Sequence, residues 1–244
     1  MKSAYRIWET GWNMAMLPGL LFVCLSSPAV SQAPTGPEIL DRCERVFAEI
    51  EDYTADLMAT INMERVRMPA MKATLYFKQP DRVHIKSESF AMLPREGFAM
   101  PVAALAARYD ATFQEKEIVD GQELFRLLLT AKESSTRVQS ITVWVDPSNY
   151  TIVQTTSSPY RGRIVTVKFR HTLHEGRFWL PERVTAIFTS TAPDTSANGS
   201  DLFALKPQLE EFRRPPRNGS IEITYAHYEV NSGLSDEVFR REQE

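Results

Sequence analysis

Four histidines, His84, His171, His174 and His227, are the side chains best suited to metal or proton chemistry in this 244-residue chain. His171 and His174 stand three apart, but at the end of a strand pattern and in a turn. No cysteine or carboxylate stands at metal-ligand spacing from them, so no metal site is expected. The G-x-S-x-G, H-E-x-x-H and P-loop patterns are absent. Acidic residues are plentiful, yet no pair is singled out as acid and base. Asp81-Arg82 reads as a turn-side ion pair. Cys43 falls on the apolar stripe of a helix and reads as a small core hydrophobe, not a reactive thiol. Asn149, Asn198 and Asn218 begin N-x-S/T sequons, which matter only in a source that glycosylates them. The expectation is therefore no enzyme, no catalytic residues and no cofactor.

What the chain offers instead is apolar surface at regular spacing. Thr35-Gly36-Pro37-Glu38 opens a helix, with Thr35 as N-cap and Glu38 closing a capping box. Ile39, Leu40, Cys43, Val46, Phe47 and Ile50 recur on one helical face. The period then switches to two. Tyr53, Ala55, Leu57, Ala59, Ile61 and Met63 point one way, and Thr54, Asp56, Met58, Thr60, Asn62 and Glu64 the other. Met71, Ala73, Leu75 and Phe77 repeat the pattern until Pro80, which lacks an amide hydrogen and should end the strand. Val83 and Ile85 alternate in a third strand.

Phe90 to Ala107 is different in kind. Phe90, Met92, Leu93, Phe98 and Met100 crowd a loop marked by Pro94, Gly97 and Pro101, and Pro101 is placed to start a short helix through Val102, Leu105 and Tyr109. The segment reads either as a plug at one end of the sheet or as a lid. Asp120-Gly121 joins two alternating runs as a hairpin. Further strands are expected at Val138–Val145, Tyr150–Thr156, Arg163–Thr172, Phe178–Ser190 and Ser220–Val230. The sum is about ten strands with few helices, a mainly β (α+β) fold. Thr191–Arg217, rich in Pro, Ser, Asn and Asp, reads as a surface insertion or a flap. Asn231–Phe239 reads as a turn and a last helical turn in which Val238 and Phe239 dock.

The first 31 residues read as a secretory signal peptide. Lys2 and Arg6 form a basic n-region, Met14 to Cys24 an apolar core broken at Pro18-Gly19, and Ala29-x-Ser31 a cleavage site before Gln32. A retained anchor is the alternative. Lipidation of Cys24 is disfavoured because Val23 precedes it. Residues 32–244 then form one exported domain. Loss of Lys2, Arg6 and Glu9 moves the formal charge from −3 to −4. A mildly acidic domain is a poor nucleic-acid binder. With Cys43 as its one cysteine, no intrachain disulfide is possible.

The order of these elements resembles a known family. The helix Pro37–Tyr53, the strand Thr54–Arg65 and Leu75-Tyr76-Phe77-Lys78-Gln79-Pro80 look like the periplasmic lipoprotein carrier LolA and its superfamily. So does the ending Val230-Asn231-Ser232-Gly233-Leu234-Ser235-Asp236-Glu237-Val238-Phe239. The resemblance implies an incomplete antiparallel β-barrel, wrapped around and capped by a few helices, that holds acyl chains. The family carries an arginine just before its proline, where it helps to hold the lid shut. The matching lid-closure position here is Gln79. The usual D-G-K-x-l-w-x-Y hairpin is replaced by Phe90–Tyr109, so the chain reads as a divergent relative.

On that resemblance, Leu57, Ile61, Met63, Leu75, Phe77, Val83, Ile85, Phe90, Met92 and Leu93 would line a lipid-binding cavity or its lid. The implied function is transport of acylated lipoprotein, or another lipid, toward the outer membrane. The implied partners are membrane-bound donor and acceptor proteins, with the carrier itself a monomer. The rival expectation is an envelope-stress sensor of the same fold, binding lipid or a membrane partner protein.

Overall fold

The computed structural model describes residues 34–63, 66–67, 69–87, 102–136, 138–160, 163–190 and 218–240. Helix α1 spans Gly36–Phe47 and begins with both halves of the capping box: the Thr35 amide donates to Glu38 Oε2 at 2.8 Å, and the Glu38 amide to Thr35 Oγ1 at 3.4 Å. Its buried face carries Ile39, Leu40 and Cys43. Burial pushes the Cys43 thiol up to about 12, so it stays protonated and inert. Gly36 sits where α1 touches the sheet, and a Cβ there would overlap the backbone at Ala111.

The helix ends at Phe47, before Ile50, the last residue of the apolar stripe, and before the Tyr53 end that the resemblance implied. The Gln79 side-chain amide stops it by donating to the carbonyls of Phe47 (3.0 Å), Ala48 (3.4 Å) and Ile50 (2.7 Å). The Phe47 carbonyl also accepts from the Ile50 amide at 3.1 Å.

The strands follow as β1 (Asp52–Met63), β2 (Val66–Arg67), β3 (Met71–Lys78), β4 (Arg82–Lys86), β5 (Tyr109–Val119), β6 (Gln122–Ala131), β7 (Ser140–Val145), β8 (Ile152–Tyr160), β9 (Arg163–His174), β10 (Phe178–Ser190) and β11 (Gly219–Val230). A short helix, α2 (Val102–Arg108), precedes β5, close to the start that Pro101 suggested. The sheet runs β4-β3-β1-β11-β10-β9-β8-β7-β6-β5, with β2 paired to β1 off this path, and the pairings along it are antiparallel. The architecture is an incomplete antiparallel β-barrel with helices on its concave side. Tyr53, Ala55, Leu57, Ala59 and Ile61 are buried, as their alternation requires. Asp120 (φ 51°) and Gly121 (φ 85°) make the hairpin turn between β5 and β6.

The terminal segment is fastened to the α1–β1 junction. Asp52 is 3% exposed, and its carboxylate accepts from the amides of Ser232 (2.9 Å), Gly233 (3.1 Å) and Leu234 (3.0 Å). Asn231 works from the other side, accepting from the Glu51 amide (2.8 Å) and donating to the Glu49 carbonyl (2.9 Å). Lys78 donates to Asp236 at 2.7 Å, and Arg82 pairs with Asp236 at 2.9 Å rather than serving a turn-side pair with Asp81. The last helical turn, Asp236–Phe239, leaves Val238 and Phe239 half-buried. Phe90 to Met100 and residues 191–217 lie outside the described residues, and with them the proposed plug or lid loop and the insertion or flap.

Two outcomes follow from this clasp. Asp52→Ala strands three amide donors and should cost about 2–4 kcal/mol in chemical denaturation. Hydrogen bonds from Lys78 and Arg82 hold the Asp236 carboxyl down to about 2 from 3.8. A depressed acid stabilises the fold above its unfolded value and stops doing so as pH falls through its folded value. Stability should therefore drop between about pH 4 and pH 2, and Asp236→Asn should flatten that part of the profile.

Candidate functional site

Two apolar clusters fill the concave side. One joins Ile50 to the inward residues of β1, β3, β10 and β11. The other joins α1 and α2 to β5, β6 and β7. Phe47 packs against both. Between them lies a cavity of about 270 Å³, near the lower end of the roughly 300–1,000 Å³ usual for small-molecule sites.

Helix α1 and the turn after it contribute Glu44, Phe47, Ala48 and Ile50, and α2 contributes Val102 and Leu105. The sheet floor is Tyr53, Phe77, Ile152, Thr155, Phe169, His171, Leu180, Pro181 and Val184, with Gln79 and Pro80 at the β3–β4 turn. Glu44, Ala48, Gln79 and Pro80 are exposed and mark the mouth. Apolar side chains dominate the rest, a surface that favours hydrocarbon over polar guests.

His171 is, with Tyr53 and Thr155, one of the polar side chains in the floor. Its ring lies 6.4 Å from the Phe47 ring and 6.2 Å from the Phe169 ring, nearly parallel to the latter. Burial pushes it down to about 4, so it is neutral at ordinary pH. Burial also raises the Tyr53 hydroxyl. A neutral imidazole between two rings forms a weakly polar part of the wall. Among the described residues, no three His, Cys, Asp or Glu side chains come together to hold a metal ion.

Of the residues expected to line a cavity, Phe77 does so, and Gln79 stands at its mouth. Leu57 (2% exposed), Ile61 (7%) and Leu75 (0%) sit in the first apolar cluster. Met63, Val83 and Ile85 are half-buried against that cluster. Phe90, Met92 and Leu93 lie outside the described residues. The wall that pattern reading missed comes from β8, β9 and β10. A signal was present, since Val165, Val167, Phe169 and His171 alternate with Lys168 and Arg170. What was missing was the strand order that sets this face against α1.

The architecture is an open antiparallel half-barrel with an apolar cavity under two helices. No protein-family model and no curated protein sequence matches the chain. Solved structures do. A domain described as an outer membrane lipoprotein-sorting protein from Vibrio parahaemolyticus superposes with TM-score 0.59 at 13% identity, over 84% of this chain and 96% of that one. A DUF1329 family protein from Desulfovibrio piger gives 0.57 at 14%, over 84% and 96%. A LolA superfamily protein from Nitrosomonas europaea gives 0.53 at 14%, over 85% and 98%. The chain has the fold of these proteins.

The neutral state of His171 is directly measurable. In an NMR pH titration its imidazole should remain neutral until about pH 4. Because the unfolded chain takes up that proton near pH 6.5, stability should fall as pH drops from 6.5 toward 4. A midpoint between 6 and 7 would place the ring in water rather than in the cavity floor.

Proposed function

We propose that this protein is a periplasmic carrier that holds an acyl chain, of a lipoprotein or another lipid, in the cavity between α1, α2 and the concave sheet. The observation that carries the reading is the cavity itself, about 270 Å³ and mainly apolar on both helix and sheet sides, with Tyr53, Thr155 and His171 as the polar side chains inside the mouth. The fold it shares with a lipoprotein-sorting domain supports the same reading. The basic and apolar amino-terminal pattern supports export. Among the described residues, no helix is long and apolar enough to cross a membrane.

The energetics suit a carrier. An acyl chain leaving a bilayer loses about 0.8 kcal/mol per methylene unless an apolar surface takes the bilayer's place. Phe47, Phe77, Phe169, Leu180 and Val184 offer that surface. Transfer into such a cavity is nearly isoenergetic, so direction comes from membrane-bound donor and acceptor partners. In this reading the protein does no covalent chemistry.

Native mass spectrometry of residues 32–244, purified without detergent from an exporting host, tests the proposal. A bound mass matching a lipid or an acylated peptide is the expected result. A clean apo mass, with no uptake of added lipid or lipopeptide, would overturn it and leave the cavity as a packing feature.

A further inference from the structure

The charge distribution at the cavity mouth selects among acyl guests, an inference that rests on the carrier reading above. Among the described lining residues, Glu44 carries the one formal charge at neutral pH. It is exposed at the mouth, one helical turn before Phe47 and Ala48.

A second feature has the same sign. The carboxyl end of α1 turns toward this mouth, where Phe47, Ala48 and Ile50 line the cavity. A helix end of this kind carries roughly half a negative elementary charge. The group that meets its carbonyls is the Gln79 amide, a neutral donor rather than a cation.

Among the described residues, the basic side chains near this end already have partners. Arg45 pairs with Asp41, Lys78 and Arg82 with Asp236, and Arg177 with Glu49. Arg42 donates to the Tyr150 hydroxyl. His171 sits deeper, between aromatic rings.

We infer that the cavity selects acyl chains that end in an uncharged ester or amide and discriminates against free fatty-acid carboxylates, with Glu44 as the residue that sets this preference. A carboxylate drawn to the mouth would give up water and meet a second carboxylate and a helix C-terminus. Like charges held close repel, and no cation among the described lining residues offsets them. An ester or amide head brings no charge, and its chain meets the same apolar wall.

The test uses one chain with two heads, the fluorescent cis-parinaric acid and its methyl ester, titrated into the purified protein at neutral pH. The wild type, Glu44→Gln and Glu44→Lys are compared by the ratio of acid to ester dissociation constants. That ratio cancels any general effect on the cavity. The wild type should prefer the ester. Glu44→Gln should lower the ratio by about threefold to tenfold, and Glu44→Lys should lower it further, through tighter acid binding with little change for the ester. If both probes bind and the ratio is the same in all three proteins, Glu44 sets no preference and the inference is overturned while the carrier reading stands. If neither probe binds the wild type, the carrier reading falls and this inference with it.

Discussion

A ten-strand path leaves more concave apolar surface than the two short α-helices among the described residues cover, and the cavity lies in that mismatch. Nine strand spacings of about 4.8 Å make a sheet roughly 43 Å wide before it curls. With 12 residues, α1 is about 18 Å long, and the 7 residues of α2 add about 10 Å. Curling brings the two apolar clusters toward one another, and Phe47 bridges them. The space that the helices do not fill is bounded by Ile50, Tyr53 and Phe77 on one side and by Val102, Leu105 and Ile152 on the other. Filling it with protein side chains would be more stabilising than leaving it open, since voids forfeit packing contacts. An apolar space retained at this junction therefore makes sense as a place for something else.

The connection between the two edge strands serves the same space. β4 and β5 stand at opposite ends of the sheet path, yet they are consecutive along the chain. The chain between them contains α2, which packs on α1 and lends Val102 and Leu105 to the cavity. The position of α1 is fixed at both ends. Thr35 and Gly36 seat its start against β5, and Gln79 and the Asp52 and Asn231 bonds fix its end. Asp52 is a buried acid whose satisfaction depends on residues 180 positions away, and this ties cavity shape to the closure of the whole sheet. The Asn231, Leu234, Asp236 and Phe239 pattern thus reads physically as a clasp: a side chain that bonds to Glu49 and Glu51, a turn that receives Asp52, an acid that receives Lys78 and Arg82, and an apolar stop.

Much of this was legible in local pattern. The capping box of Thr35 and Glu38, the alternation from Tyr53 to Ile61, the end of β3 before Pro80 and the Asp120-Gly121 turn are dictated by near neighbours, and each stands where its spacing placed it. The burial of Asp52 was not legible, because its partners arrive from the end of the chain. The cavity wall on β8 to β10 was hidden for a similar reason. Alternation in β9 says that Phe169 and His171 share a face, but only the order β1-β11-β10-β9 says that this face looks toward α1. The end of α1 was misjudged because the apolar stripe continues to Ile50, while the helix stops at Phe47, whose carbonyl receives the Gln79 amide.

Gln79 also bears on how such a cavity opens. The resemblance places it where LolA-like carriers have an arginine that holds the lid. Here its amide nitrogen serves three carbonyls at the end of α1, beside the mouth. Neutral hydrogen bonds contribute about 0.5–1.5 kcal/mol net, while those of charged groups contribute about 1.5–3. One amide nitrogen has two hydrogens, so three carbonyls share two donors. Its hold on α1 is therefore weaker than a guanidinium with five donors could provide. On the carrier reading, a mouth fastened this lightly can open on thermal fluctuation, and the guest's exchange between two apolar environments need not be driven. What must then be controlled is which guest enters, and on the inference drawn above the negative mouth formed by Glu44 and the end of α1 would exert that control without any moving part.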